Sequence, residues 1–391
     1  MPSLGDVVAA FDQCYDPAWA EDWDAVGLVC GDPAAPVRRV LLAVDPVAAT
    51  VAECLSVGAD LLFTHHPLLL RPVHGVAATT YKGRLLHRLI TAGVGLHTAH
   101  TNADVARPGV SDALADALGL VGIRPLQERP ADRLDKVVTF VPQADADAVV
   151  DALASAGAGA LGNYSRCAWL GVGIGTFLPG QGATPAVGRP GVVEQVPETR
   201  IEMVLPRRLR ADVVRALVAA HPYELPAYDV FELATLPGGY GFGRVGELPE
   251  PMTLAAFVAK AARTLPATPA GIRASGDPDR LVRTVAVAGG AGDDHLADAV
   301  RAGADAYLTA DLRHHPASEH GEGGGPALID APHWATEQPW LHDAASRLRS
   351  ALGDTVETIV SGLVTDPWNL HQPSGTPGGG PLQEKEPSSA P

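Results

Sequence analysis

One short pattern occurs near both ends of the chain and limits its fold more than any other feature. It reads Gly58-Ala-Asp60-x-x-x-Thr64 in the first copy and Gly303-Ala-Asp305-x-x-x-Thr309 in the second. Around the first copy, residues 40–44 form a continuous apolar run, as in a buried parallel strand, that ends at Asp45-Pro46. A helical period at Val47, Val51 and Leu55 leads to Gly58, placed as a C-terminal cap, and Leu61-Leu62-Phe63 reads as a second strand breaking off at Thr64-His65-His66-Pro67. Around the second copy, residues 285–288 read as a strand, 289–292 as a turn, 294–301 as a helix and 306–308 as a strand. Two βαβ units with matching exits predict an α/β protein of two related halves, packed with their strand ends together. A chance match in Gly/Ala-rich sequence is the competing explanation.

The chain has 391 residues, more than one domain of ordinary size, and its 46% hydrophobic content excludes global disorder. A formal charge of −16 argues against a general nucleic-acid or anionic-membrane binder, and the short Arg207-Arg208-x-Arg210 cluster reads as a solvated helix start. There is no apolar run of membrane-spanning length, and the N-terminus, MPSLGDVVAAFD, has no basic region of the secretory kind. Cys14, Cys30, Cys54 and Cys167 lie far apart with no CxxC, as expected of reduced core residues. A cytoplasmic location is the resulting expectation.

Between the halves the texture changes. Residues 136–141 read as a strand, 144–156 as an amphipathic helix, 200–204 as a strand, 209–220 as a helix and 227–233 as a last strand, with glycines at 171, 173 and 175 between them. This is the grammar of an inserted ferredoxin-like α+β module. The glycine-rich stretch 238–243 is expected to return the chain to the main domain. The expected division is therefore 1–124 for the first half, 125–245 for the insert and 246–367 for the second half. A Pro/Gly/Ser-rich tail, 368–391, is expected to be disordered and without chemistry.

Three strand exits carry potential metal ligands. His65-His66 follows a buried strand, where open α/β sheets place their ligands. His97-Thr-Ala-His100-Thr-Asn-Ala-Asp104 follows another apolar stretch. After the strand 327–330, a helix beginning near His333 would set His333 and Glu337 on one face at i and i+4. Each has a plain alternative, a satisfied histidine pair, an N-cap or a helix-start carboxylate. Jointly they form the densest set of N/O donors in the chain. His65, His66, Asp104, His333 and Glu337 could hold two divalent cations, with Zn, Fe, Mn, Co and Ni all compatible with such donors.

These same stretches give a resemblance to the Nif-three-like family, whose members are often called GTP cyclohydrolase 1 type 2 homologues. Trp23-Asp-Ala-Val-Gly-Leu28, Thr64-His-His-Pro67 and His100-Thr-Asn-Ala-Asp104 resemble its first three motifs. Gly303-Ala-Asp-Ala-Tyr-Leu-Thr-Ala-Asp311 with His315, and the segment from Asp330 to Glu337, resemble the closing ones. Pro332 and Ala310 stand where the family usually has glycine, which puts the local backbone geometry in question. The resemblance implies the five metal ligands named above, a dinuclear centre between two α/β halves and a ring-like homohexamer. It also implies a PII/CutA-like insertion, matched here by Asn163-Tyr-Ser-Arg-Cys167 and Ala220-His-Pro-Tyr-Glu224. Within the latter, His221 and Glu224 read as a capped turn in preference to ligands.

Two functions follow. A metal-dependent hydrolase would use a metal-activated water on a nucleotide or a purine- or pteridine-like small molecule, with His100, Asp311 and His315 as proton-transfer or ligand-orienting residues. No phosphate-binding loop marks a nucleotide, so GTP rests on the resemblance alone. The alternative is a metal-trafficking or regulatory hexamer without catalysis.

Overall fold

The computed structural model describes residues 1–372; most of the expected 368–391 tail lies outside the described residues. Met1–Gln127 together with the chain from Tyr240 forms one compact unit, and Glu128–Gly239 forms another. In chain order the strands begin with β1 (Gly27–Cys30), β2 (Arg39–Ala43), β3 (Leu61–Thr64), β4 (Gly95–Thr98) and β5 (Val121–Pro130). Next come β6 (Leu134–Pro142), β7 (Trp169–Phe177), β8 (Glu194–Pro206), β9 (Tyr228–Glu232) and β10 (Pro237–Thr253). The last are β11 (Arg273–Ser275), β12 (Leu281–Ala291), β13 (Ala306–Ala310), β14 (Ala327–Asp330) and β15 (Glu357–Val360).

The first unit contains two sheets, ordered β1-β4-β3-β2-β15 and β11-β14-β13-β12-β10-β5. In each, three central strands run parallel and a short strand closes one edge antiparallel: β4-β3-β2 with β1, and β14-β13-β12 with β11. The repeated sequence pattern occupies equivalent places. Gly58 and Gly303 both follow a helix with positive φ, +63° and +69°, a conformation open to glycine at little cost. The next residues close the same turn, Ala59 N donating to Cys54 O and Ala304 N to Ala299 O. Inward-facing side chains of both sheets, among them Val40, Leu42, Phe63, Val285, Val287, Leu308 and Ile329, join one core with Phe257 and Trp340. Each such buried side chain contributes about 1.5–3 kcal/mol of transfer free energy, which holds the two halves as one body. The helix Leu4–Cys14 packs into the same core, its start fixed by the Ser3/Asp6 capping box.

One expectation is corrected here. The glycines 289–292 do not form a free turn: β12 runs through Ala291 with a register shift against β13 between Val287 and Ala291, and Gly290 takes φ +67°. The stretch 238–243 does return the chain to the first unit, which resumes at Tyr240, and does so within the 17-residue strand β10. Directly after it, fully buried Arg244 forms a bidentate pair with Asp112 (2.8 and 2.6 Å) and also donates to the carbonyls of Ala106, Gly241 and Gly243. No described helix is long and apolar enough to cross a membrane.

The second unit is a four-stranded antiparallel sheet, ordered β7-β8-β6-β9, with the helices Ala146–Ser155 and Arg210–Ala220. Val137, Val141, Ile201 and Met203 of the sheet pack against Val149, Leu153, Val213 and Leu217 of the helices. Strand–helix–strand–strand–helix–strand in that order is the split βαβ topology. Arg207 and Arg210 grip buried Asp135 at 3.0 and 2.6 Å and also reach Glu232, so most of the basic cluster is internally neutralised. Both ring nitrogens of His221 serve the main chain, at Phe140 O and Tyr223 N, and the Glu224 carboxylate accepts from Thr184 N.

Candidate metal centre

Parallel strands of both halves end at one place in the first unit, and short segments leaving them carry the donors. His65 and His66 leave β3, and Asp45 leaves neighbouring β2. Past β4, His100 precedes the short helix Thr101–Val105 that carries Asp104. Asp311 leaves β13, and past β14 the helix His333–Glu337 places its first and last residues on one side. Only after folding are these residues neighbours.

Four imidazoles are oriented in the same manner. Nδ1 of His65 meets Ala99 O at 3.0 Å, and Nδ1 of His66 meets Asp45 Oδ1 at 2.7 Å. Nδ1 of His100 meets Asp24 Oδ1 at 2.8 Å, and Nδ1 of His333 meets Asp311 Oδ2 at 2.7 Å. An acceptor at Nδ1 fixes the proton there and leaves Nε2 with its lone pair, the arrangement that metal-ligating histidines use. Three of these Nε2 atoms surround Glu337: His333 at 2.9 Å and His65 at 3.4 Å from Oε1, and His66 at 3.2 Å from Oε2. Asp104 Oδ1 lies 3.7 Å from His65 Nε2.

This geometry leaves buried atoms unsatisfied. His65 Nε2, Asp104 Oδ1 and Glu337 Oε2 are enclosed and have no hydrogen bond of proper geometry, an arrangement that is costly unless a cation completes it. His65, His66 and His100 bring one ligand atom each within 4.8 Å of one another, and so do His66, His333 and Glu337. The imidazole and carboxylate donors fit divalent transition metals.

Charge in the site is organised around Glu337. Burial alone would protonate its carboxyl, but the imidazoles of His66, His333 and His65 hold it well below the usual carboxylate range. Burial disfavours the charged forms of His66 and His333; the Glu337 charge, with Asp45 and Asp311 respectively, overturns this and raises them to about 10 and about 11. Burial raises Asp104. Without metal, protons on the imidazoles therefore balance the carboxylate, and binding a cation must displace them.

All five sequence-expected ligands meet here, with His100 beside them: its ring stands edge-on to His65 and His66 at 5.2 and 5.6 Å. Asp311 lies behind His333 as an orienting residue, with φ +54°. His315 is elsewhere, exposed on the helix His314–Glu322 with its ring against His314. Sequence reasoning missed the orienting roles of Asp24 and Asp45. Each stood inside a quoted motif or strand end, but only the fold shows which histidine it serves. It also missed Gly290, where a Cβ would lie 2.5 Å from Glu337 Oε1 and 3.0 Å from His333 Nε2. A cavity of about 770 Å³ opens on His66, His333 and Asp311, and a second of about 320 Å³ on His100, Asp104 and Glu337. Trp368, Leu370 and His371 line the larger one, so the chain past 367 reaches this cavity.

Comparison with known proteins agrees with this architecture. The sequence profile of the Duf34/NIF3 (NGG1p interacting factor 3) family matches residues 2–367. The chain belongs to the Duf34/NIF3 family. A Mycobacterium tuberculosis relative, named GTP cyclohydrolase 1 type 2 homolog, is 52% identical over 373 residues, covering 95% of this chain and 98% of its own. A relative of the same name from Streptomyces coelicolor is 40% identical, with 95% of each chain covered. Among NIF3 structures, a Bacillus cereus protein related to NIF3 superposes with a TM-score of 0.74 at 36% identity, over 94% of this chain and 98% of that one.

Proposed function

We propose that this NIF3 protein holds two divalent cations at the cluster and acts as a metal-dependent hydrolase on a nucleotide or a purine- or pteridine-like substrate. The observation that carries the reading is the set of four imidazoles, each held at Nδ1, three of them with Nε2 within 3.4 Å of the buried Glu337 carboxylate. The two donor groups hold five residues between them, more than a four-coordinate ion takes, which supports two ions over one. Bound there, such a pair would lower the pKa of a shared water toward neutrality and offset negative charge developing on a substrate.

The residues of the chain divide the remaining work. Glu337 would hold the metal together with His65, His66, Asp104 and His333 around it. Asp24, Asp45 and Asp311 orient their histidines and strengthen them as donors. Asp311, half-exposed on the larger cavity, is placed to take a proton from a group bound there. That cavity has room for a fused heteroaromatic ring system. The relatives' name supports GTP as the first compound to test.

For the second unit, the split βαβ topology supports kinship with PII/CutA-like modules. Exposed Trp169, Val172, Ile174 and Phe231 on it support a homo-oligomeric, hexameric assembly. The four free cysteines accord with a cytoplasmic location. A second reading, metal trafficking or regulation without catalysis, draws on the number of donors: four imidazoles and two carboxylates approach a saturated site.

Elemental analysis of the purified protein beside a His65→Ala/Glu337→Ala variant, with GTP turnover measured on both, separates these readings. Two equivalents of metal, lost together with turnover in the variant, is the expected result. Metal lost with no turnover by either protein favours trafficking. Metal retained by the variant removes the site assignment.

A further inference from the structure

We propose that Thr365, in the segment after β15, is a positioning residue of the metal centre, fixing Asp45 and through it the ring of His66. The inference rests on the metal-binding reading above.

The segment is laid along the ligand-bearing ends of the strands by specific bonds. Ser361 N donates to Leu42 O at 2.8 Å, extending the ladder between β15 and β2 by one step. Ser361 Oγ donates to Glu53 Oε2, and Leu363 N to Ser361 Oγ, so the chain turns there toward the exit of β2. Thr365 Oγ1 then donates to Asp45 Oδ2, while Asp45 Oδ1 holds His66 Nδ1 at 2.7 Å. The Asp45 main chain is secured separately, by Thr50 Oγ1 on its carbonyl at 2.7 Å. Among the described residues, the hydrogen-bond partners of the Asp45 carboxylate are His66 and Thr365. With one oxygen committed to the imidazole, the plane of the carboxylate is set by what holds the other.

The same device occurs a second time in the cluster. Asp24 Oδ1 holds His100 Nδ1 at 2.8 Å, and Asp24 Oδ2 accepts from the Thr101 hydroxyl at 2.5 Å. In both places an aspartate spans a histidine and a threonine, one oxygen to each. Thr101 adjoins its histidine in sequence, whereas Thr365 comes from the far end of the chain. Thr365 also lines the larger cavity together with His66 and His333.

Losing an outer partner of a ligating histidine lowers metal affinity about 10–100-fold. The test is a Zn²⁺ competition titration against a chromophoric chelator, run on metal-free full-length protein. The variants are Thr365→Val, Thr365→Ser, Leu363→Ala and Glu337→Gln. Thr365→Val keeps the side chain's shape and removes the hydroxyl; because Thr365 acts on His66 through Asp45, it is expected to weaken Zn²⁺ binding at the low end of that range, about 10-fold, with the melting temperature of the metal-free protein unchanged. Thr365→Ser restores the donor and with it wild-type affinity. Leu363→Ala, on the same segment but half-exposed, stays at wild type. Equal affinity of Thr365→Val and wild type overturns the inference and leaves the metal-binding reading standing. Equal weakening by Leu363→Ala also overturns it, since the segment and not the hydroxyl would then matter. If the wild type binds no Zn²⁺, or Glu337→Gln binds as well as wild type, the underlying reading fails and the inference with it.

Discussion

Asp60 and Asp305 do the same job in the two halves. Each accepts two consecutive main-chain N–H groups through Oδ2, from Arg38 and Arg39 at 2.7 and 3.1 Å, and from Arg283 and Thr284 at 2.9 and 2.8 Å. In both cases the bonds tie the start of the middle parallel strand to its neighbour, and six residues later each strand exit presents a site residue, His66 or Asp311. The frame is thus repeated, while the chemistry it presents is not: position for position, His66 answers to Asp311.

Replacing Glu337 by Gln removes the one charge that His65, His66 and His333 share. Loss of bound metal with retention of secondary structure is expected, read by elemental analysis and circular dichroism. Gly290→Ala is expected to do the same for a steric reason, because its Cβ would stand 2.5 Å from Glu337 Oε1 and its φ of +67° is unfavourable for alanine.

Asp311→Asn separates charge from geometry. Asparagine tolerates the left-handed backbone of position 311, so the fold is kept while His333 loses its anionic partner. Metal affinity should fall about 10–100-fold, measured by competition with a chelator. Asp311→Ala adds backbone strain and is expected to fall further.

His97 should give the protein an acid-sensitive step. Burial pushes its imidazole down to about 4, and its ring stands beside the stacked pair Phe11 and Phe63, 5.9 and 5.7 Å from their centroids. It is neutral in the folded chain, whereas the unfolded chain protonates it near pH 6.5. Its contribution is therefore complete above that pH and is lost progressively as pH falls toward 4, by about 3 kcal/mol in all. Chemical denaturation between pH 7.5 and 4.5 should show a shallower loss for His97→Phe than for the wild type.

Arg244 and Asp112 tie β10 to the helix Val110–Ala117 inside the core. Arg244→Met leaves Asp112 buried without its cation and should cost about 3–5 kcal/mol in urea unfolding. The double variant Arg244→Met/Asp112→Leu should recover a large part of that loss, since two apolar side chains replace both charges together.

The apolar runs and the repeated Gly-Ala-Asp pattern made the parallel strands readable, because buried strands and helix caps write local signals. The donors were readable because histidines and carboxylates cluster at strand exits. What stayed hidden was pairing at long range. Asp24 reaches His100, Asp45 reaches His66 and Thr365 reaches Asp45, and no period or spacing connects such residues. The glycines of β12 misled for a related reason. Glycine signals a turn locally, whereas here it leaves room for Glu337 beside a continuing strand. His315 was drawn in by its place next to a site segment, but the helix carries it to the surface.

The division of the cluster's donor residues between halves also has a consequence in time. Glu337 leaves the ribosome about 230 residues after Asp104, an interval of roughly 10–50 s at bacterial rates of synthesis. Through that interval the nascent chain offers His65, His66, His100 and Asp104 without the carboxylate that unites them. A metal ion captured early would meet a partial site, and the finished centre becomes available only when the last strands of the protein close over the first.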